Sequence, residues 1–272
     1  MADGNSTALA DGALLLRRGD AVVELVFNRP ERHNAFSTAV YEALVSTCAQ
    51  LRNDASVRAV VIRGAGGRAF AAGNDIAEFT GLRDGADGVA YEAGVRRVLQ
   101  GIAELPQVTI AAVDGICVGG GLAVATHCDL RIATQGSVFG YPIARTLGNA
   151  LSASLVYRCA AVFGESLTRE MLLASRLVDA SRDHAAGAVM SVVGKDGLDA
   201  EVDAVVSGLR LAAPLTIGVT KQQLLHRARA LEAEPAEDDA LLERVYGSAD
   251  FREGVRSFLA KEKPRFSQPG AC

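Results

Sequence analysis

Gly119-Gly120-Gly121 constrains this 272-residue chain more than any other feature. The triplet stands between a β-rich run, Val108-Thr109-Ile110-Ala111-Ala112-Val113, and helix-compatible sequence ending near His127. Three residues without a Cβ at a strand-to-helix junction allow another backbone or a ligand to come close. Amides at that point lack intrahelical acceptors, and the helix dipole favours negative charge. The junction suits an oxyanion or a phosphate, with tight helix–sheet packing as the purely structural alternative. Its spacing is not a dinucleotide fingerprint, and no Gly-Lys-Ser/Thr follows.

The composition narrows the setting. Hydrophobic residues make up 49% of the chain and charged residues 22%, the balance of a soluble globular protein. A net charge of -4 argues against a nucleic-acid surface built on overall charge. No apolar run reaches membrane-spanning length, and the N-terminus lacks a basic region followed by an apolar segment. A cytoplasmic protein with no membrane partner is expected. Cys48, Cys117, Cys128, Cys159 and Cys272 are scattered without C-x-x-C spacing, which fits a reducing compartment and no metal site. Cys117 has no local base to activate it and reads as a small buried side chain.

Taken in order, residues 1–12 read as a flexible tail. Leu14-Leu15-Leu16 and the run 21–27 flank Gly19-Asp20 as a hairpin. Ser37 is a good N-cap for a helix presenting Val40, Leu44, Cys48 and Leu51 on one face. Residues 57–63 form a β-branched run, followed by a glycine turn and Phe70-Ala71-Ala72-Gly73. Residues 81–88 read as a loop before a helix over about 89–104. Strands are expected at 130–133 and 138–141, and almost continuous helix from about 150. Leu198, Val202, Val205 and Leu209 form one apolar stripe, and Phe251, Val255, Phe258 and Leu259 another. Pro214 suits a helix start, and the acidic stretch 232–239 reads as a solvated turn.

Several motifs occur together and in order. Phe27-Asn28-Arg29-Pro30 and Asn34-Ala35 open the pattern. Phe70-Ala71-Ala72-Gly73-Asn74-Asp75-Ile76, Asp114-Gly115 through Gly121, Cys128-Asp129-Leu130 and Phe139-Gly140 continue it. Over about residues 14–265 the chain resembles the crotonase (enoyl-CoA hydratase/isomerase) superfamily. The resemblance implies an α/β fold, a wound β-sheet/helix core over 13–195 with a helical C-terminal region over 196–272 involved in assembly. It implies a homotrimer or a dimer of trimers acting on an acyl-CoA thioester, with coenzyme A as part of the substrate and no permanently bound cofactor.

By the same resemblance, the backbone amides of Asn74 and Gly120 hold the thioester oxygen as it becomes an enolate. Donors of this kind contribute about 3–4 kcal/mol each. Ala72, Asn74, Asp75, Ile76 and Ala77 would border the adenine and pantetheine. Arg29 and Arg32 would meet the CoA phosphates, and Phe258 and Lys261 would lie beside CoA on a neighbouring subunit.

Both glutamates of the hydratase pattern are absent, their positions being Ala123 and Ile143. A methyl and a branched alkyl group cannot transfer protons, and positioned acid–base groups contribute about 100- to 10,000-fold each. Hydration is therefore not the expected reaction. Tyr141, Arg145 and Asn149 are the polar candidates in the segment that replaces the second glutamate. Tyr141 also reads as a packing residue, and Arg145 as half of an ion pair. Asp75 is the carboxylate nearest an amide donor, although capping a short helix from Ile76 accounts for it better. Glu78 lies one turn on, while Asp114 and Asp129 read as structural. His127 shares a helix face with Ala123 and reads as a buried, hydrogen-bonded side chain. No G-x-S-x-G motif accompanies it, which removes a serine hydrolase. The alternative from another class is a non-catalytic acyl-CoA-binding or partner protein that keeps the fold.

Overall fold

The structure is a computed structural model and describes residues 6–229 and 235–266. Its strands are β1 Ser6–Leu9, β2 Leu14–Gly19, β3 Val22–Phe27, β4 Ala59–Gly64, β5 Ala69–Ala71 and β6 Val108–Val113, then β7 Ile116–Val118, β8 Leu130–Thr134, β9 Val138–Gly140, β10 Val178–Asp179 and β11 Ser191–Val193. The α-helices are α1 Thr38–Leu51, α2 Gly85–Ala103, α3 Gly120–His127, α4 Ile143–Thr146 and α5 Ala153–Leu173, then α6 Ala180–Ala185, α7 Leu198–Leu211, α8 Pro214–Arg229, α9 Pro235–Tyr246 and α10 Ala249–Ala260.

Alternation along the central strands sorts their side chains into two cores. Val60 and Ile62 face one side with Val40 and Leu44 of α1, Val95 and Leu99 of α2, and Leu155 and Phe163 of α5. Ala59 and Val61 face the other side, where Leu198, Val202 and Val206 of α7 cover them. The main sheet runs β1-β2-β3-β4-β6-β8-β11, antiparallel through β3 and parallel beyond it. Helical crossovers impose the parallel pairing.

A smaller sheet, β10-β9-β7-β5, positions the site. Its strands β5, β7 and β9 are parallel, so their carboxyl ends lie side by side. The chain leaves β5 toward Asn74, β7 toward Gly120 and β9 toward Tyr141 and Ile143.

The hairpin, the Ser37 cap and the strands around the glycine junction stand where the sequence places them. Ser37 Oγ accepts from Val40 N, and Val40, Leu44, Cys48 and Leu51 are buried. Other expectations need correction. Residues 6–12 are no flexible tail, because Ser6–Leu9 pairs with β2 and supplies an edge strand; residues 1–5 lie outside the described residues. Helix α2 begins at Gly85 rather than 89, because Asp84 caps it by accepting from Asp87 N. The region after 150 is not all helix: β10 extends the small sheet and β11 the large one. Helix α7 covers one face of the sheet and shares a core with it. On α10, Phe251 and Val255 are buried, but Phe258 and Leu259 are largely exposed. Residues 232–234 of the acidic stretch lie outside the described residues, and Asp238 and Asp239 pair with Arg96 on α2. No single helix among the described residues is long and apolar enough to cross a membrane.

Candidate active site

Residues 33–36 clamp the segment that leaves β5 and carries Asn74. Ala72 N donates to His33 O, Phe36 N to Gly73 O and Asp75 N to Phe36 O, at 2.9, 2.8 and 2.7 Å. Asn34 anchors this clamp from a left-handed backbone position, its buried amide bonding Arg29 N, Ala65 O and Ala69 O. On the facing side, Gly119 N donates to Gly140 O and Ala123 N to Gly119 O. A Cβ added to Gly73 would stand 3.4 Å from Gly120 N. The two loops are therefore in backbone contact. Among the described residues, neither the Asn74 nor the Gly120 amide has an acceptor within the chain. Two unengaged N–H groups side by side, one at a helix N-terminus, form a site for a developing oxyanion.

The Asn74 side chain is held by Tyr41, whose hydroxyl donates to Oδ1 at 2.5 Å. A Cβ on Gly120 would meet Asn74 Oδ1 at 2.7 Å, Tyr41 Oη at 3.0 Å and Phe36 at 3.3 Å. Glycine at 120 thus keeps open the space in front of the amide. Ala123 and Ile143 belong to the main apolar core, Ala123 fully buried and Ile143 partly so. Neither glutamate position offers a proton-carrying group.

The side-chain candidates have separate fates. Asp75 caps the two-turn 3-10 helix Ile76–Gly81 through Ala77 N, and its other oxygen takes Arg29 Nη2 at 2.9 Å. Arg29 also donates to Ala35 O. With its guanidinium committed inside the chain, Arg29 is not poised for a CoA phosphate. Glu78 is likewise committed, accepting from the Thr38 amide and hydroxyl at the start of α1. Tyr141 is fully buried, its hydroxyl makes no well-formed hydrogen bond among the described residues, and burial raises its phenol above the usual range. It packs in the main core. Arg145 is exposed and lines a groove of about 820 Å³ with Thr146, Ser175, Phe258, Lys263 and Phe266. The structure therefore joins Arg145 to Phe258 in a groove whose lining includes neither Asn74 nor Gly120. Arg32 and Lys261 are exposed, as is Ala77, whereas Ile76 is buried and Ala72 half-buried.

His127 Nδ1 lies 2.7 Å from Ala123 O, and desolvation pushes the imidazole down to about 4, so it is neutral. Burial pushes the Cys117 thiol up, which removes it as a nucleophile. Asp129 binds Thr109 and Lys221, and Asp114 binds Thr134, both structural. Among the described residues no group of three metal-ligating side chains comes together.

Two residues escaped the sequence reading. Tyr41 became visible only with the contact across α1 and Asn74. Glu92 of α2 is 3% exposed, accepts from Tyr246 Oη at 2.7 Å and Ser152 N at 3.3 Å, and burial pushes its carboxyl up to about 7. A signal for it existed: Gly85, Gly88, Glu92, Val95, Leu99 and Ile102 form the buried stripe of α2, with one carboxylate among apolar residues.

The enoyl-CoA hydratase/isomerase family model matches residues 17–269. The human enoyl-CoA hydratase domain-containing protein 2, mitochondrial, is 30% identical over 253 residues, covering 90% of this chain and 85% of that one. The crystal structure of an enoyl-CoA hydratase/carnithine racemase from Magnetospirillum magneticum matches with TM-score 0.76 and 34% identity, covering 94% of this chain and 95% of that one. Methylmalonyl-CoA decarboxylase in complex with 2-nitronate-propionyl-CoA matches with TM-score 0.84 and 26% identity, covering 94% and 98%. With its crotonase fold and a match over nearly its whole length, the chain belongs to the enoyl-CoA hydratase/isomerase family.

Proposed function

We propose that the protein is an acyl-CoA enzyme that stabilises a thioester enolate on the Asn74 and Gly120 amides and does not hydrate enoyl thioesters. One observation carries this reading: two adjacent amides without acceptors face a site whose usual acid positions are Ala123 and Ile143. The amides would take the carbonyl oxygen, and the thioester's CoA portion would run past residues 72–77. A decarboxylase with the same fold, in complex with an acyl-CoA, is a case of this architecture serving a reaction other than hydration. Coenzyme A enters as part of the substrate, and no permanently bound cofactor is needed. We also propose a homotrimer or a dimer of trimers as the working assembly.

The apolar surroundings of Ala123 and Ile143 also favour a second reading, a protein that binds acyl-CoA without turning it over. Mass spectrometry of the purified protein with a panel of acyl-CoAs, recording retained ligands and products, separates the two. The expected result is acyl-CoA retention with no 3-hydroxyacyl product from crotonyl-CoA. Crotonyl-CoA turnover in the ordinary range, about 1–1,000 per second, would overturn the non-hydratase assignment.

A further inference from the structure

Asn74 brings two kinds of N–H donor to the site, its backbone amide and its side-chain carboxamide. The carboxamide is pinned at one end. Tyr41 Oη donates to Asn74 Oδ1 at 2.5 Å, and the Tyr41 ring stands edge-on to the buried Phe36, with centroids 5.5 Å apart. The backbone is fixed on both flanks, by Phe36 N on Gly73 O and Asp75 N on Phe36 O. Burial holds the Tyr41 phenol above its usual range, so the hydroxyl keeps its proton. That proton finds no other acceptor among the described residues, which turns Oδ1 toward Tyr41 and leaves the nitrogen over. Asn74 Nδ2 has no acceptor among the described residues, yet it is not among the buried polar atoms left without a partner. It opens on space that a ligand can fill. The carboxamide stands at the paired amides, since its Oδ1 lies 2.7 Å from where a Gly120 Cβ would be.

We propose that Asn74 Nδ2 donates to a second carbonyl on the acyl chain, so that the site selects 3-oxoacyl thioesters over plain acyl thioesters. This rests on the acyl-CoA reading above and names the acyl group taken. Two N–H groups of one residue reach acceptors that are close neighbours, and the oxygens of a 1,3-dicarbonyl are such a pair. The backbone N–H of Asn74 shares the thioester oxygen with Gly120, while Nδ2 takes the oxygen on the third carbon. A plain acyl chain leaves Nδ2 covered and unpaired, and an unmet donor costs more than a met one gains.

A neutral acceptor suits this place better than a carboxylate. Arg29, the guanidinium bonded to this loop, is spent on Asp75 and Ala35 O, and Arg145 lies in a groove lined by neither Asn74 nor Gly120. A carboxylate would enter without a counter-ion, at a desolvation cost that a carbonyl does not carry. Ala123 and Ile143, both packed in the apolar core, supply no competing polar group. Enolate charge shared by two held oxygens also asks less of a base, which suits a site without carboxylates at those positions.

The test is calorimetry with acetoacetyl-CoA, butyryl-CoA and malonyl-CoA, read as affinity ratios within each variant. The native protein should bind acetoacetyl-CoA about tenfold more tightly than butyryl-CoA. Asn74→Ala keeps the backbone N–H and removes the carboxamide, so that ratio should drop about tenfold. Tyr41→Phe frees the carboxamide to turn, so the ratio should drop at least about twofold. A native ratio in folded Asn74→Ala would overturn the assignment. So would an unmoved ratio in Tyr41→Phe, which decides the matter even if the alanine variant does not fold. Equal native affinity for acetoacetyl-CoA and butyryl-CoA overturns the role of Nδ2 and leaves the acyl-CoA reading standing. Malonyl-CoA binding more tightly than acetoacetyl-CoA would overturn the choice of a neutral acceptor. A native protein that binds none of the three removes the acyl-CoA reading as well.

Discussion

Gly120 and Gly121 are adjacent, yet a side chain at each would meet a different obstacle. At 121 a Cβ would stand 2.2 Å from Ala71 O, inside the backbone of β5, whereas at 120 it would meet mainly the ends of Asn74 and Tyr41. Gly121 is thus a folding requirement and Gly120 a requirement of the open site. Gly120→Val should keep a cooperative thermal transition and lose at least tenfold in acyl-CoA affinity. Unchanged affinity by calorimetry in the folded variant would remove the oxyanion assignment. Asp183 gives a second residue-scale expectation. It is fully buried, neither carboxylate oxygen has a hydrogen-bond partner among the described residues, and burial pushes it up to about 7 from an ordinary 3.8. The folded chain therefore binds more protons than the unfolded chain between about pH 4 and 7. Stability falls as pH rises through that window and levels off above it. Asp183→Asn should lose part of that dependence, read as a smaller drop in Tm between pH 5 and 8 than in the native protein. The amide pair was legible beforehand because glycine itself encodes close backbone approach. Tyr41 and Glu92 were not, because their importance comes from neighbours on other elements.

Helix α9 lies against α2 because two glycines on α2 let it in. A Cβ at Gly85 would stand 2.2 Å from Glu243 O, and one at Gly88 would stand 2.2 Å from the Tyr246 ring. The same ring delivers the hydroxyl that Glu92 accepts. Gly88→Ala should push α9 outward and destabilise the fold by about 1–3 kcal/mol, measured by urea unfolding. An unchanged midpoint would mean that α9 docks by another route. Read as sequence, Gly85 and Gly88 suggested a loop, because glycine disfavours helix interiors in isolation. Packing reversed that preference. Strand β11 was missed for a related reason: three residues, Ser191-Val192-Val193, carry too little pattern to stand out. Their pairing to β8 is set by the sheet edge they complete.

Over the whole molecule, the ordered motifs around the glycine junction made the fold class readable, through the family resemblance they carry. What joins distant segments, such as Asn34 bonding Arg29, Ala65 and Ala69, was not. Leu211 at the end of α7, with Leu215 and Leu224 on α8, leaves large apolar side chains in solvent, at 91, 79 and 59% exposure. A surface of that kind fits the proposed trimer. Light scattering should give at least three chains at micromolar concentration, and Leu215→Glu should lower that number. A native monomer would count against the assembly.

Four thiols lie sealed in separate elements: Cys48 in α1, Cys117 in β7, Cys128 at the end of α3 and Cys159 in α5. Burial pushes the pKa of each thiol up, so in the closed protein all four are protonated and out of reach. An alkylating reagent can then mark each one only while its own surroundings are open. Four built-in stopwatches result, and the order in which they are marked ranks how often the first helix, the glycine junction and the long fifth helix breathe. A bound thioester pressing on the junction should slow Cys117 and Cys128 first.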